Sequence, residues 1–193
     1  MGRPPSDRRA RILTAATHCF ITQSFPDVKL DQVASQAGVA KGTIYLYFRS
    51  KEELFCECLL DDTPRWYEQI ERIITGQGTA TDRLSQLVFL QAEAYAKKGP
   101  LIQNFIQMGP TLSLSSDVIA RLHDHLRQVV ELDSRLFQEG IESGEFSDRF
   151  TAAQMAIIFM QIFDLNLKFQ MFKVPLFNPQ DVFAALLKLF GTQ

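Results

Sequence analysis

Cysteine is scarce in this chain of 193 residues: Cys19, Cys56 and Cys58 are all it has. So small and odd a number excludes a disulfide framework. Cys56 and Cys58 stand two apart, so on a helix they face different ways, and neither has a Cys/His partner set. Histidine is equally sparse. His123 and His125 cannot share a helix face, and His18 has no companion, which excludes a metal pair. No Ser/His/Asp or Cys/His spacing occurs, nor a glycine-rich phosphate loop, so the sequence reads as that of a non-enzyme with no cofactor and no metal. The N-terminus is polar and bears arginines, with no apolar segment of the secretory kind. No long run is free of polar interruption: the stretch from Ala152 to Phe172 carries Asp164, Asn166 and Lys168, charges that would be costly in lipid. It is expected to be a buried helix, and no membrane partner is expected. Period-two alternation, internal repeats and low-complexity tracts are missing too.

What remains is helical and apolar. Residues of hydrophobic type make up 46% of the chain, enough for a sizeable core in one or two domains. The net charge of −2 conceals a segregation. Residues 1–51 hold 8 Lys+Arg against 3 Asp+Glu, hence +5, and residues 52–193 hold 12 against 19, hence −7. A basic head and an acidic body suit a head drawn to a polyanion.

The stretch from Leu30 to Leu54 is the most specific. Leu30, Val33, Ala34 and Ala37 recur at helical spacing and give one apolar face. Gly38 follows where a left-handed residue closes a helix. A second short piece runs from Lys41 to Phe48. Ile44 and Phe48 face inward there, leaving Gly42, Thr43, Tyr45 and Tyr47 outward. Ser50 with Glu53 forms a capping box, so a third helix begins at Lys51. Two short helices joined by a glycine turn form a helix-turn-helix, and small polar and tyrosine side chains on its second helix suit phosphates and base edges. Ahead of it, Ser6 or Asp7 starts a helix with a buried stripe of Ile12, Ala15, Ala16, Cys19 and Phe20. Arg3, Arg8, Arg9 and Arg11 at its start are placed to touch a phosphate backbone or a minor groove.

Arg11 to Phe20 (RILTAATHCF), Leu30 to Ala34 (LDQVA), Ala37 to Phe48 (AGVAKGTIYLYF) and Ser50 to Phe55 (SKEELF) resemble, in order and spacing, the N-terminal signature of the TetR family of bacterial transcriptional regulators. The resemblance covers roughly the first 55 residues. Three positions depart from it: Ser24 replaces a glycine, Lys29 a threonine and Ala40 a serine. The last two discard side-chain caps, each worth about 1 kcal/mol. The resemblance implies that Gly42, Thr43, Tyr45, Tyr47 and Lys51 touch DNA. Thr43, Tyr47 and Lys51 are the phosphate candidates, while Tyr45, with Lys41 or Leu46, meets bases. It implies an all-α fold, with a three-helix homeodomain-like head (1–51) and a six-helix ligand-binding and dimerisation bundle (52–193). It also implies a cytoplasmic, nucleoid-associated repressor that a small-molecule effector releases from a palindromic double-stranded operator. A ligand-independent nucleoid or scaffold protein on the same fold is the alternative.

Behind the head, Pro64 marks a break or restart and Gly76 and Gly78 a loop. Thr81 or Asp82 then opens a helix ending near Pro100, followed by a short one from Pro100 to Met108. A long helix from Ser116 is closed by Gly144, and two apolar helices follow, separated by a loop with Pro175 and Pro179. These last two are apolar on more than one face, so a homodimer pairing them is expected. Trp66, Tyr67, Gln91, Tyr95, Phe105, Met108, His123, Met160 and Asp164, with Asn104, Asn166 and Met171, are the candidates for an effector pocket. An acidic body with an aromatic interior favours apolar, neutral or cationic molecules over strong anions.

Overall fold

The computed structural model describes residues 5–170 and 178–192. Arg3, Met171, Phe172 and Pro175 lie outside the described residues, as do the side chains of Ser6, Asn166 and Lys168. The described chain is all-helical: α1 (Pro5–Thr22), α2 (Leu30–Ala37), α3 (Lys41–Tyr45), α4 (Lys51–Leu60), α5 (Thr63–Ile74), α6 (Ala80–Met108), α7 (Ser116–Glu142), α8 (Ala152–Gln170) and α9 (Pro179–Phe190). A 3₁₀ turn at Gly109–Thr111 follows α6. None of the described helices is long and apolar enough to cross a membrane.

The helix ends follow the local chemistry. Gly38 takes φ +62° and its N–H returns to the carbonyls of α2, the left-handed closure expected of it. Lys29 and Ala40 provide no side-chain cap for α2 or α3. Replacing Lys29 with threonine is expected to supply one and stabilise the fold by about 0.5–1 kcal/mol, read as a higher urea midpoint with unchanged m-value. Ser50 accepts from Glu53 N at 3.1 Å, and Glu53 Oε2 accepts from Arg49 N at 2.8 Å. Asn178 caps α9 through Asp181 N at 2.9 Å.

Behind the head, two boundaries differ from the sequence reading. The cap of α6 is Thr79 rather than Thr81 or Asp82: Thr79 and Asp82 bond reciprocally, each backbone N–H to the other's side chain at 3.0 Å. The pair expected on either side of Pro100 is one helix, with Pro100 inside α6. An interior proline removes one ladder bond at a cost of about 3 kcal/mol. Here Leu101, Phe105 and Met108 beyond the proline pack on one apolar core, and Leu84, Leu87 and Val88 before it on the other, so the helix is anchored on both sides of Pro100.

The chain divides into two compact units. One holds the described residues up to Asp62 with Lys98–His123, the other Thr63–Lys97 with Asp124 onward, and both α6 and α7 contribute to each. The first is built around Ile12, Ala16, Phe20, Val33, Ile44, Phe48, Leu54 and Phe55. The rings of Phe20, Phe25 and Phe55 meet at 4.9–5.8 Å. The second centres on Phe137, whose ring lies 5.4 Å from Phe190, 5.9 Å from Phe146 and 6.1 Å from Phe159. Gly140 sits in that core because any Cβ would overlap the Phe146 ring.

Candidate functional site

In the first unit α2 and α3 form the helix-turn-helix, α1 packs against α2, and α4 packs against α1. Ile44 and Phe48 are buried, as their four-residue spacing predicts. The helical part of the second piece is shorter than expected, ending at Tyr45, and a turn carries Leu46 to Phe48. Lys41, Gly42, Tyr45 and Leu46 are exposed, with Leu46 82% and Tyr45 50% accessible, while Thr43 and Tyr47 are half-buried. An apolar side chain as open as Leu46 beside a tyrosine and a lysine makes a small contact surface.

Several charges expected to point outward are spent inside the protein. Lys41 Nζ meets Asp31 Oδ2 at 2.8 Å, which holds the lysine above its ordinary pKa. Arg11 reaches across to the carbonyls of Ala37 and Gly38 and so caps α2 from α1. Arg9 bonds Glu57 at 2.6 Å, and Arg121 of α7 holds the other carboxylate oxygen. Glu57, only 5% exposed, thereby links α1, α4 and α7. Arg8 remains on the surface. Lys51, expected beside phosphate, instead donates to the carbonyls of Phe25, Pro26 and Val28.

The effector candidates separate. Tyr95 donates to Asp164, its ring 5.5 Å from Phe163, and Gln91 bonds the same phenol. Burial, then the carboxylate, raises the Tyr95 pKa far above that of a free phenol. Tyr67 and His125 Nδ1 pair at 2.6 Å in the same unit, where Trp66 and Met160 are half-buried. Phe105 and Met108 do not join them. They pack on the core of the first unit, because the uninterrupted α6 carries them there. His123 is exposed on α7, and Asn104 is engaged with the end of α1. The sequence reading missed Asp133, 3% exposed, with its Oδ1 unpartnered. Its signal was there to see: an acid at helical spacing from Val129, Leu136 and Phe137. Burial pushes its pKa up to about 7. Cys56 and Cys58 are buried and their thiols are pushed up to about 12, which makes them poor thiolates. Among the described residues no cluster of His, Cys, Asp or Glu is placed to hold a metal.

Among the described residues, a three-helix head with a glycine-closed turn is followed by six helices, an all-helical helix-turn-helix arrangement. Residues 12–58 match the family described as bacterial regulatory proteins, tetR family. It is 33% identical over 87 residues to the uncharacterised HTH-type transcriptional regulator YdgC of Bacillus subtilis, a match spanning 45% of each chain. The solved structure of reduced E. coli NemR superposes with a TM-score of 0.77 at 21% identity, covering 97% of this chain and 98% of that one. FadR of Bacillus subtilis in complex with stearoyl-CoA follows with a TM-score of 0.73 at 21% identity, covering 93% and 96%.

Proposed function

We propose that the chain is a DNA-binding transcriptional regulator acting in the bacterial cytoplasm, a repressor whose head (1–51) reads a palindromic operator and whose body (52–193) binds a small effector and dimerises. The observation that carries this reading is the exposed set Lys41, Gly42, Tyr45 and Leu46, with the half-buried Thr43 and Tyr47 beside it, held on a glycine-closed helix-turn-helix above the buried Ile44 and Phe48. Tyr47 and Thr43 are assigned to phosphate, and Tyr45, Leu46 and Lys41 to base edges. Asp31 holds Lys41 until DNA replaces it. The test is selection of bound sequences from a random duplex pool. A palindromic winner supports the reading, and no enrichment for any sequence overturns it.

Dimerisation is assigned to α8 and α9, where Ile157, Leu165 and Leu189 stand 38–50% exposed. Two-fold pairing of these helices would cover them and set two heads at the spacing of successive DNA turns. Ile157→Asp combined with Leu189→Asp is expected to turn the dimer into a folded monomer, read by sedimentation with helicity unchanged.

The effector is assigned to the second unit, where the Tyr95–Asp164 pair and the unpartnered Asp133 stand in an aromatic interior. Buried acids favour a neutral or cationic molecule with a hydrogen-bond donor, unlike the acyl-CoA bound by the FadR neighbour. An effector that binds one state better than the other by about 1–3 kcal/mol would weaken operator affinity about 5- to 150-fold.

A further inference from the structure

The turn joining α1 to α2 is gripped from two sides. Asn104, on α6, donates its amide to the carbonyls of Phe20 at 2.9 Å and Gln23 at 3.2 Å, and accepts from Phe25 N–H at 3.4 Å. The two carbonyls belong to the end of α1, where helical partners run out. Lys51, the first residue of α4, sends its ammonium to the carbonyls of Phe25 at 2.8 Å, Val28 at 3.1 Å and Pro26 at 3.2 Å. The same nitrogen stands 4.5 Å from the centroid of the Phe25 ring. An ammonium has three protons, and three carbonyls take them. Phe25 itself is buried between the rings of Phe20 and Phe55, so the turn is anchored at its middle as well as at its ends.

We propose that Asn104 and Lys51 are positioning residues which together clamp the turn of residues 23–28 and thereby set the placement of α2 and α3, Lys51 serving DNA binding through this clamp and not by touching phosphate. The proposal rests on the reading of the head as a DNA reader. Burial lowers the Lys51 pKa, consistent with an amine held among carbonyls and a ring rather than in solvent. The arrangement also gives α6 a route into the head. Lys51 comes from α4 and Asn104 from α6, so a displacement of α6 against α4 is felt at the turn on which α2 begins. Two positions far apart in sequence therefore act on one six-residue segment.

The experiment compares the full-length chain with Lys51→Ala, Asn104→Ala, the isosteric Asn104→Asp and the double alanine variant. Two readouts are used: amide exchange at Gln23, Phe25, Asp27 and Val28 without DNA, and the salt dependence of affinity for the duplex the wild-type chain selects. The clamp predicts faster exchange at those amides in every variant, with Asn104→Asp no better than alanine because it faces two carbonyls with an acceptor. It predicts affinity lower by at least about fivefold, a coupling-scale effect, in both single variants. It predicts a double variant weaker than either single by less than the product of the two, and a slope of log affinity against log salt equal to that of the wild type. Loss of about 0.9 from that slope in Lys51→Ala, the signature of one phosphate contact removed, with exchange unchanged, would overturn the proposal. Exchange unchanged in Asn104→Ala would overturn it as well. If the wild type selects no duplex, the regulator reading fails by itself, and the exchange data still decide whether the turn is clamped.

Discussion

Asp133→Leu is expected to make the protein more stable at pH 8 and to change it little at pH 5. Asp133 lies in the buried face of α7 with no partner for Oδ1, and its folded pKa stands near 7 against an ordinary 3.8. The sign follows from proton counting. Between about pH 4 and 7 the folded chain keeps a proton that the unfolded chain has released, so stability falls as pH rises through that window and is level above it. A displacement of about three units corresponds to about 4 kcal/mol as an upper bound. Leucine removes the ionisation and fills a similar volume, an exchange of a buried unpaired group for an apolar one. Urea unfolding at pH 5 and pH 8 reads both arms. A gain at pH 8 of about 2–4 kcal/mol, with a flatter profile between, is expected. Equal stability of the two proteins at pH 8 would mean that Asp133 has found a partner. That a chain retains so costly an acid in its interior fits the assignment of this unit to effector binding.

Gly38→Val is expected to cost about 2–3 kcal/mol and to impair operator binding more than its stability loss explains. A β-branched residue at φ +62° carries roughly 1–2 kcal/mol of strain. Its Cβ would also come within 2.5 Å of Arg11 Nη2, the group that caps Ala37 and Gly38. Displacing that guanidinium sacrifices charge-assisted bonds worth about 1 kcal/mol or more. Arg11 therefore belongs to the architecture of the turn between α2 and α3, and Arg11→Ala should reproduce the smaller part of the loss. Thermal unfolding measures the first effect. Operator affinity at a temperature where both proteins are fully folded measures the second.

The head was legible in the sequence because its signals are local. Gly38, the Ser50/Glu53 box and the four-residue spacing of Ile44 and Phe48 each act within one turn of helix, and each is found where it was expected. The partners of the charged residues were not legible, because they are set by tertiary placement. Nothing near Lys51 in the sequence says that residues 25, 26 and 28 will offer three carbonyls, and nothing near Arg9 points to Glu57. Asn104 looked like a polar outlier fit for a ligand, yet it closes α1 from 84 residues away in the chain. Pro100 misled for the opposite reason. Its local meaning was read correctly, and the packing of Leu101, Phe105 and Met108 outweighed it. The body was legible only as apolar helices. Its composition marked Tyr95, Gln91 and Asp164 as candidates that do meet, and equally marked His123, which is exposed.

The central claim is that the surface of α3 and the turn after it reads DNA. The most direct measurement titrates the selected duplex, and a scrambled duplex of the same composition, with the wild-type chain and with Tyr45→Ala and Tyr47→Ala at two salt concentrations. A head of this kind predicts a preference for the selected duplex of at least about 10³ and a steep fall in affinity with salt. It also predicts a tenfold or greater loss in each tyrosine variant, while circular dichroism and dimer mass stay unchanged. Equal affinity for both duplexes, or tyrosine variants that bind as the wild type does, would contradict it.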